Sequence, residues 1–179
     1  KDDAAQMSQG AGMTFRNNIE WLAGNYNEAR MGSSIFSYLM GYEDPRLSVY
    51  FLPMDGNASY GVEAFDGKTY QAVPAGHANA QNDIYKSCSK PNIQSGTPTY
   101  WLRASEVYLR AEAALVWEGF GSADSWYKQG IDMSFQENGV TDPVDDYMNS
   151  NLSPRAYVLS HYQYGQTLSA PCETTVKFE

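Results

Sequence analysis

The 179-residue chain is poor in the residues that usually announce a chemistry. It holds two cysteines, Cys88 and Cys172, and two histidines, His77 and His161. Two thiols are too few for a disulfide framework and show no metal-ligand spacing, so they stand either as one bridge in an oxidising compartment or as two ordinary buried thiols. Neither histidine lies in an HExxH or other paired pattern, and no metal or cofactor is implied. A GxSxG elbow, a glycine-rich phosphate loop and a Cys/His arrangement are all missing. Positive charge is scarce as well: 12 Lys and Arg against 21 Asp and Glu give a formal charge of -9, with no basic run. Neutralisation of phosphates supplies most non-specific affinity for nucleic acid, so no nucleic acid partner is expected. No apolar run approaches the roughly 18 residues that read as a membrane span.

Carboxylates are plentiful, and glycoside hydrolysis asks only for two of them across a cleft. The pairs on offer, Glu106 with Glu112 and Asp142 with Asp145, are explained by solvated helix faces and helix starts. The reading is therefore of a protein that is not an enzyme. Composition does favour folding, since 42% of residues are hydrophobic and 18% charged, and the length suits one domain.

What the chain has in abundance is aromatic side chain: 14 Tyr, 4 Trp and 7 Phe. Most of the tyrosines lie near Gly, Asn, Ser or Pro. A flat apolar face with a hydroxyl suits a surface that binds neutral polar rings such as sugars, although tyrosines at turns also close small cores.

Along the chain, Ile19, Trp21, Leu22, Tyr26 and Ala29 hint at a weak helix within 15–31 that Gly24 interrupts. Residues 32–41 predict a short helix capped by Ser33 or Ser34 and stopped at Gly41. After Pro45, the alternation of Leu47, Val49 and Phe51 predicts a short strand or extended segment. Between Pro53 and Pro98 turn residues dominate. Asp55-Gly56 suits a turn, and Asp66-Gly67 separates VEAF from KTYQAV as in a hairpin. A long loop region in a small domain is where ligand contacts are expected.

The clearest pattern is a helix pair at 104–118 and 122–137. Ala104, Val107, Tyr108, Ala111, Ala114 and Leu115 form one stripe, its alanines admitting a close neighbour; Ala123, Trp126, Tyr127, Ile131, Ser134 and Phe135 form the other. Gly119 or Gly121 ends the first helix, Ser122 caps the second, and Asn138-Gly139 stops it. The layout is that of a tetratricopeptide-like hairpin. Asp142, Asp145 and Asp146 miss the spacing of an EF-hand and read as a helix start, with Asp142 as cap and Pro143 in the first turn. Tyr157, Tyr162 and Tyr164 either face a ligand or anchor a loop.

The segment 104–140, ASEVYLRAEAALVWEGFGSADSWYKQGIDMSFQENGV, resembles the helical pair of the SusD/RagB family of Bacteroidetes surface lipoproteins. YEDPRLSVYF at 42–51 and VPAG at 73–76 are similar to two further motifs of that family in the same order. The resemblance implies a mainly α fold of tetratricopeptide-like helix pairs, with long loops and one or two short hairpins. It implies a lipid-anchored protein on the outer face of the outer membrane that captures oligosaccharide or another nutrient. The cargo would pass to a TonB-dependent transporter of the SusC type. It also implies a chain much longer than 179 residues, so this one reads as part of a SusD-like domain that meets the remaining segments of the same protein. Asp44, Pro45, Arg46, Glu106 and Glu112 fall on motifs that are architectural in the family, and Arg46 is expected to ion-pair locally. Sugar-binding chemistry, not the family motif, nominates Trp21, Asn25, Tyr60, Tyr70, Asn79, Asn82 and Trp101 as ligand-binding residues. The competing function is a peptide- or protein-binding module with a tetratricopeptide-like groove.

Overall fold

A computed structural model describes residues 4–13, 15–57, 62–64, 66–76, 85–86, 88–159 and 166–179. Among these residues the helices are α1 (Asn18–Glu20), α2 (Ser33–Gly41), α3 (Leu47–Tyr50), α4 (Leu109–Val116), α5 (Ala123–Glu137) and α6 (Val144–Met148). The strands are β1 (Ala5–Met7), β2 (Gly56–Asn57), β3 (Val62–Ala64), β4 (Thr99–Leu102), β5 (Tyr157–Leu159) and β6 (Gln166–Leu168). They pair only in twos and antiparallel, as β1 with β4, β2 with β3 and β5 with β6. This is the mainly α class with short hairpins. The chain divides into two compact units, one of residues 16–97 and 152–174, the other of 1–15, 98–151 and 175–179.

The first unit is organised around Met31, Phe36, Leu39, Phe51, Ala72, Tyr85, Cys88 and Tyr157. Tyr157 is fully enclosed at 0% exposure; its ring meets Phe36 edge-on at 5.4 Å and its hydroxyl donates to the Ala72 carbonyl at 2.5 Å. That bond is how a hydroxyl survives in an apolar interior. Burial pushes the Tyr157 phenol up, and pushes the Cys88 thiol up to about 12. Cys88 and Cys172 are both free thiols, which decides between the two readings of the cysteines.

Gly32, and neither serine, stands at the N-cap of α2, because Ser33 is drawn inward. Its hydroxyl accepts the Ala75 N–H at 2.8 Å, so the expected cap instead joins α2 to the VPAG turn. Gly41 is the last helical residue, and its close approach to Ser153, Pro154 and the Arg155 backbone leaves no room for a Cβ. The glycine is there for packing as much as for stopping.

The strand expected over Leu47–Phe51 is α3. Alternation misled because Leu47 and Phe51 are also four apart, and Phe51 N–H donates to the Leu47 carbonyl at 2.9 Å. Asp44 nucleates this turn: its carboxylate is buried, accepts the Arg46 N–H at 2.9 Å and pairs with the Arg46 guanidinium at 2.5 Å. Asp-Pro-Arg therefore acts as a local architectural clip, with the expected ion pair inside it.

The hairpin expected about Asp66-Gly67 forms one step earlier, between β2 and β3. Asp66 accepts from the N–H groups of Lys68 and Thr69, both at 2.7 Å, and from the Thr69 hydroxyl. These bonds hold its carboxyl down at about 2 and turn the chain without pairing it. The segment beyond it is committed elsewhere: Val73 N–H donates to the Met31 carbonyl and Ser89 N–H to Gln71, at 2.8 and 2.9 Å.

In the second unit a 3₁₀ turn over Ala104–Tyr108 runs into α4, and α5 follows after glycines at 119 and 121 with φ of 86° and 84°. Ser122 caps α5 by accepting the Ser125 N–H at 3.3 Å, and Asn138-Gly139 ends it with Gly139 at φ 66°. Gly130 of α5 also admits a close approach. A Cβ there would lie 2.8 Å from the Tyr108 Cβ and 3.3 Å from the Ser105 carbonyl oxygen. Glu137 closes the same contact, accepting from the Ser105 hydroxyl at 2.7 Å and pairing with Arg103 at 3.2 Å. Tyr127 donates to the Val176 carbonyl at 2.7 Å, and Met133, Phe135, Met148 and Val176 are buried. At α6, Pro143 takes the cap position expected of Asp142, and Asp145 and Asp146 fill the first turn.

Of the stripe expected on the first helix, Ala111 is buried, Val107 and Ala114 are half-buried, and Tyr108 and Leu115 are exposed, Leu115 to 69%; Leu109, Val116, Trp117 and Phe120, outside that stripe, are exposed as well.

Candidate functional site

Of the residues nominated from sequence, Trp21 and Asn25 share one turn. Asn17 caps α1 by accepting the Ile19 N–H at 3.0 Å, and the chain then widens into a π-helical turn over Trp21–Asn25. The Tyr26 N–H reaches back five residues to the Trp21 carbonyl at 3.1 Å. Such wide turns cost regularity and concentrate at functional sites. Gly24 and Asn25, the weak helix formers seen in the sequence, sit in this wide turn, and the helix goes no further.

The turn is held from three directions. Glu20 accepts the Gly96 N–H at 3.2 Å; Glu28 N–H donates to the Leu22 carbonyl at 2.9 Å; Arg30 donates to the Lys86 carbonyl at 2.6 Å and to the Asn27 side chain at 3.1 Å. Asn27 adopts φ 55°, a left-handed conformation that Asn tolerates better than most residues. Burial holds the Arg30 guanidinium below its ordinary value, while its hydrogen bonds to the Ala29 and Lys86 carbonyls meet its N–H groups.

On this frame stand four side chains. Trp21 is half-buried, Tyr26 is 57% exposed, and their rings meet edge-to-face at 5.2 Å and 60°. The Arg16 guanidinium lies 3.1 Å over the Trp21 ring. Asn25 is exposed beside them. Apolar ring surface, amide groups and a cation thus converge on a turn whose backbone is fixed in advance, which is how sites for small polar ligands are built.

The family model described as "Susd and RagB outer membrane lipoprotein" matches residues 1–179. The chain belongs to the SusD/RagB family. A SusD homolog from Bacteroides vulgatus is 32% identical with a TM-score of 0.81, covering 97% of this chain and 34% of its own. A SusD homolog from Bacteroides thetaiotaomicron gives 28%, 0.79, 98% and 35% for the same quantities. A chitin-binding SusD homolog from Flavobacterium johnsoniae gives 26%, 0.70, 86% and 30%. This SusD-like chain therefore spans about a third of the length of these structures. No curated protein matches it. Membership places it among outer-membrane lipoproteins.

Two other nominated residues of the SusD-like chain lie among the described residues. Tyr70 is half-buried against the core of the first unit, where burial raises its phenol. Trp101, in the second unit, is 73% exposed on β4, next to Tyr100, whose ring lies 4.5 Å from the Arg103 guanidinium. Tyr60, Asn79 and Asn82 lie outside the described residues, as do His77, His161, Tyr162 and Tyr164. Arg16 is missing from the sequence reading, and Tyr26 enters it only as part of a weak helix, not as a site residue. Each is five residues from Trp21, the spacing of a π turn, and neither helical nor strand periodicity tests for five. Among the described residues no three His, Cys, Asp or Glu side chains gather to hold a metal ion, and no helix is long and apolar enough to cross a membrane.

Proposed function

We propose that this SusD-like protein captures oligosaccharide at the outer membrane without chemical change and delivers it to a TonB-dependent transporter of the SusC type. The observation that carries the reading is the braced π turn with Trp21, Tyr26 and Asn25 at its surface, in a chain whose family is one of outer-membrane lipoproteins. Aromatic faces stack on pyranose rings while amides bridge hydroxyls, and a preformed turn spares the ordering cost of binding. Trp21 and Asn25 head the proposed ligand-binding residues. Trp101 is proposed as a second aromatic contact on its strength of exposure, Tyr70 as a contact through its remaining open surface, and Tyr60, Asn79 and Asn82 on residue chemistry.

A peptide-binding groove would be lined by Asn and Lys. The helix pair instead exposes Leu109, Leu115, Val116, Trp117 and Phe120 beside its charged residues, which favours burial against further helices of a longer SusD-like solenoid.

Calorimetric titration with a panel of oligosaccharides, chitooligosaccharides first because a relative is described as chitin-binding, tests the capture reading. At least one sugar is expected to bind, and Trp21→Ala to weaken it by about tenfold or more, the order of an aromatic hot spot. Binding unchanged by Trp21→Ala would move the site elsewhere.

A further inference from the structure

Trp21 is the natural platform for a sugar ring, but one face of its indole is already taken by Arg16. A neutral pyranose seated on that face would have to displace a guanidinium, which stacks on indole through both dispersion and cation–π attraction. The surfaces left to a ligand at this turn are the exposed ring of Tyr26, the amide of Asn25 and Arg16 itself. We propose that the turn prefers oligosaccharides carrying a carboxylate, as uronic and sialic acids do, over their neutral counterparts, with Arg16 as the residue that selects them. The inference rests on the oligosaccharide-capture reading and deepens it.

Three features support the assignment. Arg16 is exposed, and among the described residues no carboxylate pairs with it, in contrast to Arg46 with Asp44 and Arg103 with Glu137. The acid nearest in sequence on its own turn, Glu20, is engaged with the Gly96 N–H at 3.2 Å. A guanidinium that uses its face on an aromatic ring keeps its N–H edge for acceptors in its own plane, and that edge matches a carboxylate bidentately. Tyr26 then supplies the stacking face for the ring that bears the acid, and Asn25 donors and acceptors for its hydroxyls.

The formal charge of -9 narrows the class further. A long polyanion would meet net repulsion from this chain, whereas one carboxylate on an otherwise neutral oligosaccharide meets mainly the nearby cation, since charges beyond about 10 Å are screened at ordinary salt. The fitting ligand is therefore a mostly neutral oligosaccharide with an isolated acidic sugar.

Titration of matched pairs tests this: 3′-sialyllactose against lactose, and a glucuronic-acid-substituted xylo-oligosaccharide against the unsubstituted one of equal length. The acidic member of at least one pair is expected to bind about tenfold more tightly, the size of one charge-assisted contact in a partly exposed site. Arg16→Gln should abolish the preference, so that the acidic and neutral members bind alike, and Arg16→Lys should keep part of it; circular dichroism checks that both variants fold. Equal affinity for acidic and neutral members, or a preference that survives Arg16→Gln, overturns this proposal and leaves oligosaccharide capture standing. Failure of every acidic and neutral sugar to bind the unaltered protein overturns both.

Discussion

The unit built on Tyr157 encloses a larger apolar cluster than the unit built on the helix pair, although it too leaves Ile19, Leu22, Ile35 and Leu52 exposed. In the former, Met31, Phe36, Phe51, Ala72 and Tyr157 are enclosed, and even the hydroxyls of Ser33 and Tyr157 are turned inward onto backbone partners. In the latter, α5 presents Met133 and Phe135 to the interior while α4 and the loop after it show Leu115, Val116, Trp117 and Phe120 to the outside. Self-contained burial braces the π turn; the helix pair keeps a face in reserve. Periodicity reports that a helix has an apolar stripe, and the stripe looks the same whether its cover belongs to this stretch of chain or to another.

The sharpest way to break the contrast is Tyr157→Ala. It removes a ring at 0% exposure together with the donor to Ala72, so the first unit should lose about 3–5 kcal/mol, read by chemical denaturation. Gly130→Ala comes next. Its new methyl would fall 2.8 Å from Tyr108 Cβ, with a rigid helix behind it, and a loss of about 1–3 kcal/mol is expected in the helix pair. Smallest is Leu115→Glu, at 69% exposure, which should shift the stability of this chain by about 0.5 kcal/mol or less. The same change in a full-length relative with that face covered should cost several times more, and equal small effects in both would show that the face is never buried.

Legibility in the sequence followed locality. Ser122 as a cap, Asn138-Gly139 as a stop and the run of α5 depend on neighbours within a turn, and they are found where the residues place them. Ser33, Leu47–Phe51 and Asp66 were misread because their bonding is decided by partners the local pattern does not contain: Ala75 for the first, a buried Asp44 clip for the second, and competing ties of Val73 and Ser89 for the third. At the candidate site, aromatic and amide chemistry pointed to Trp21 and Asn25, while Arg16 and Tyr26 needed a turn of unusual width to become neighbours.

By itself the sequence determined the helix pair, the family and the supply of exposed-type aromatics, because each follows from residue order, capping chemistry and composition. Only the tertiary structure decided which apolar side chains of that pair are left open, that Gly130 lies close against Tyr108, and that a guanidinium lies across the indole of Trp21. Those outcomes depend on distances between residues, and a linear pattern holds no information on a contact until the chain has chosen its turns.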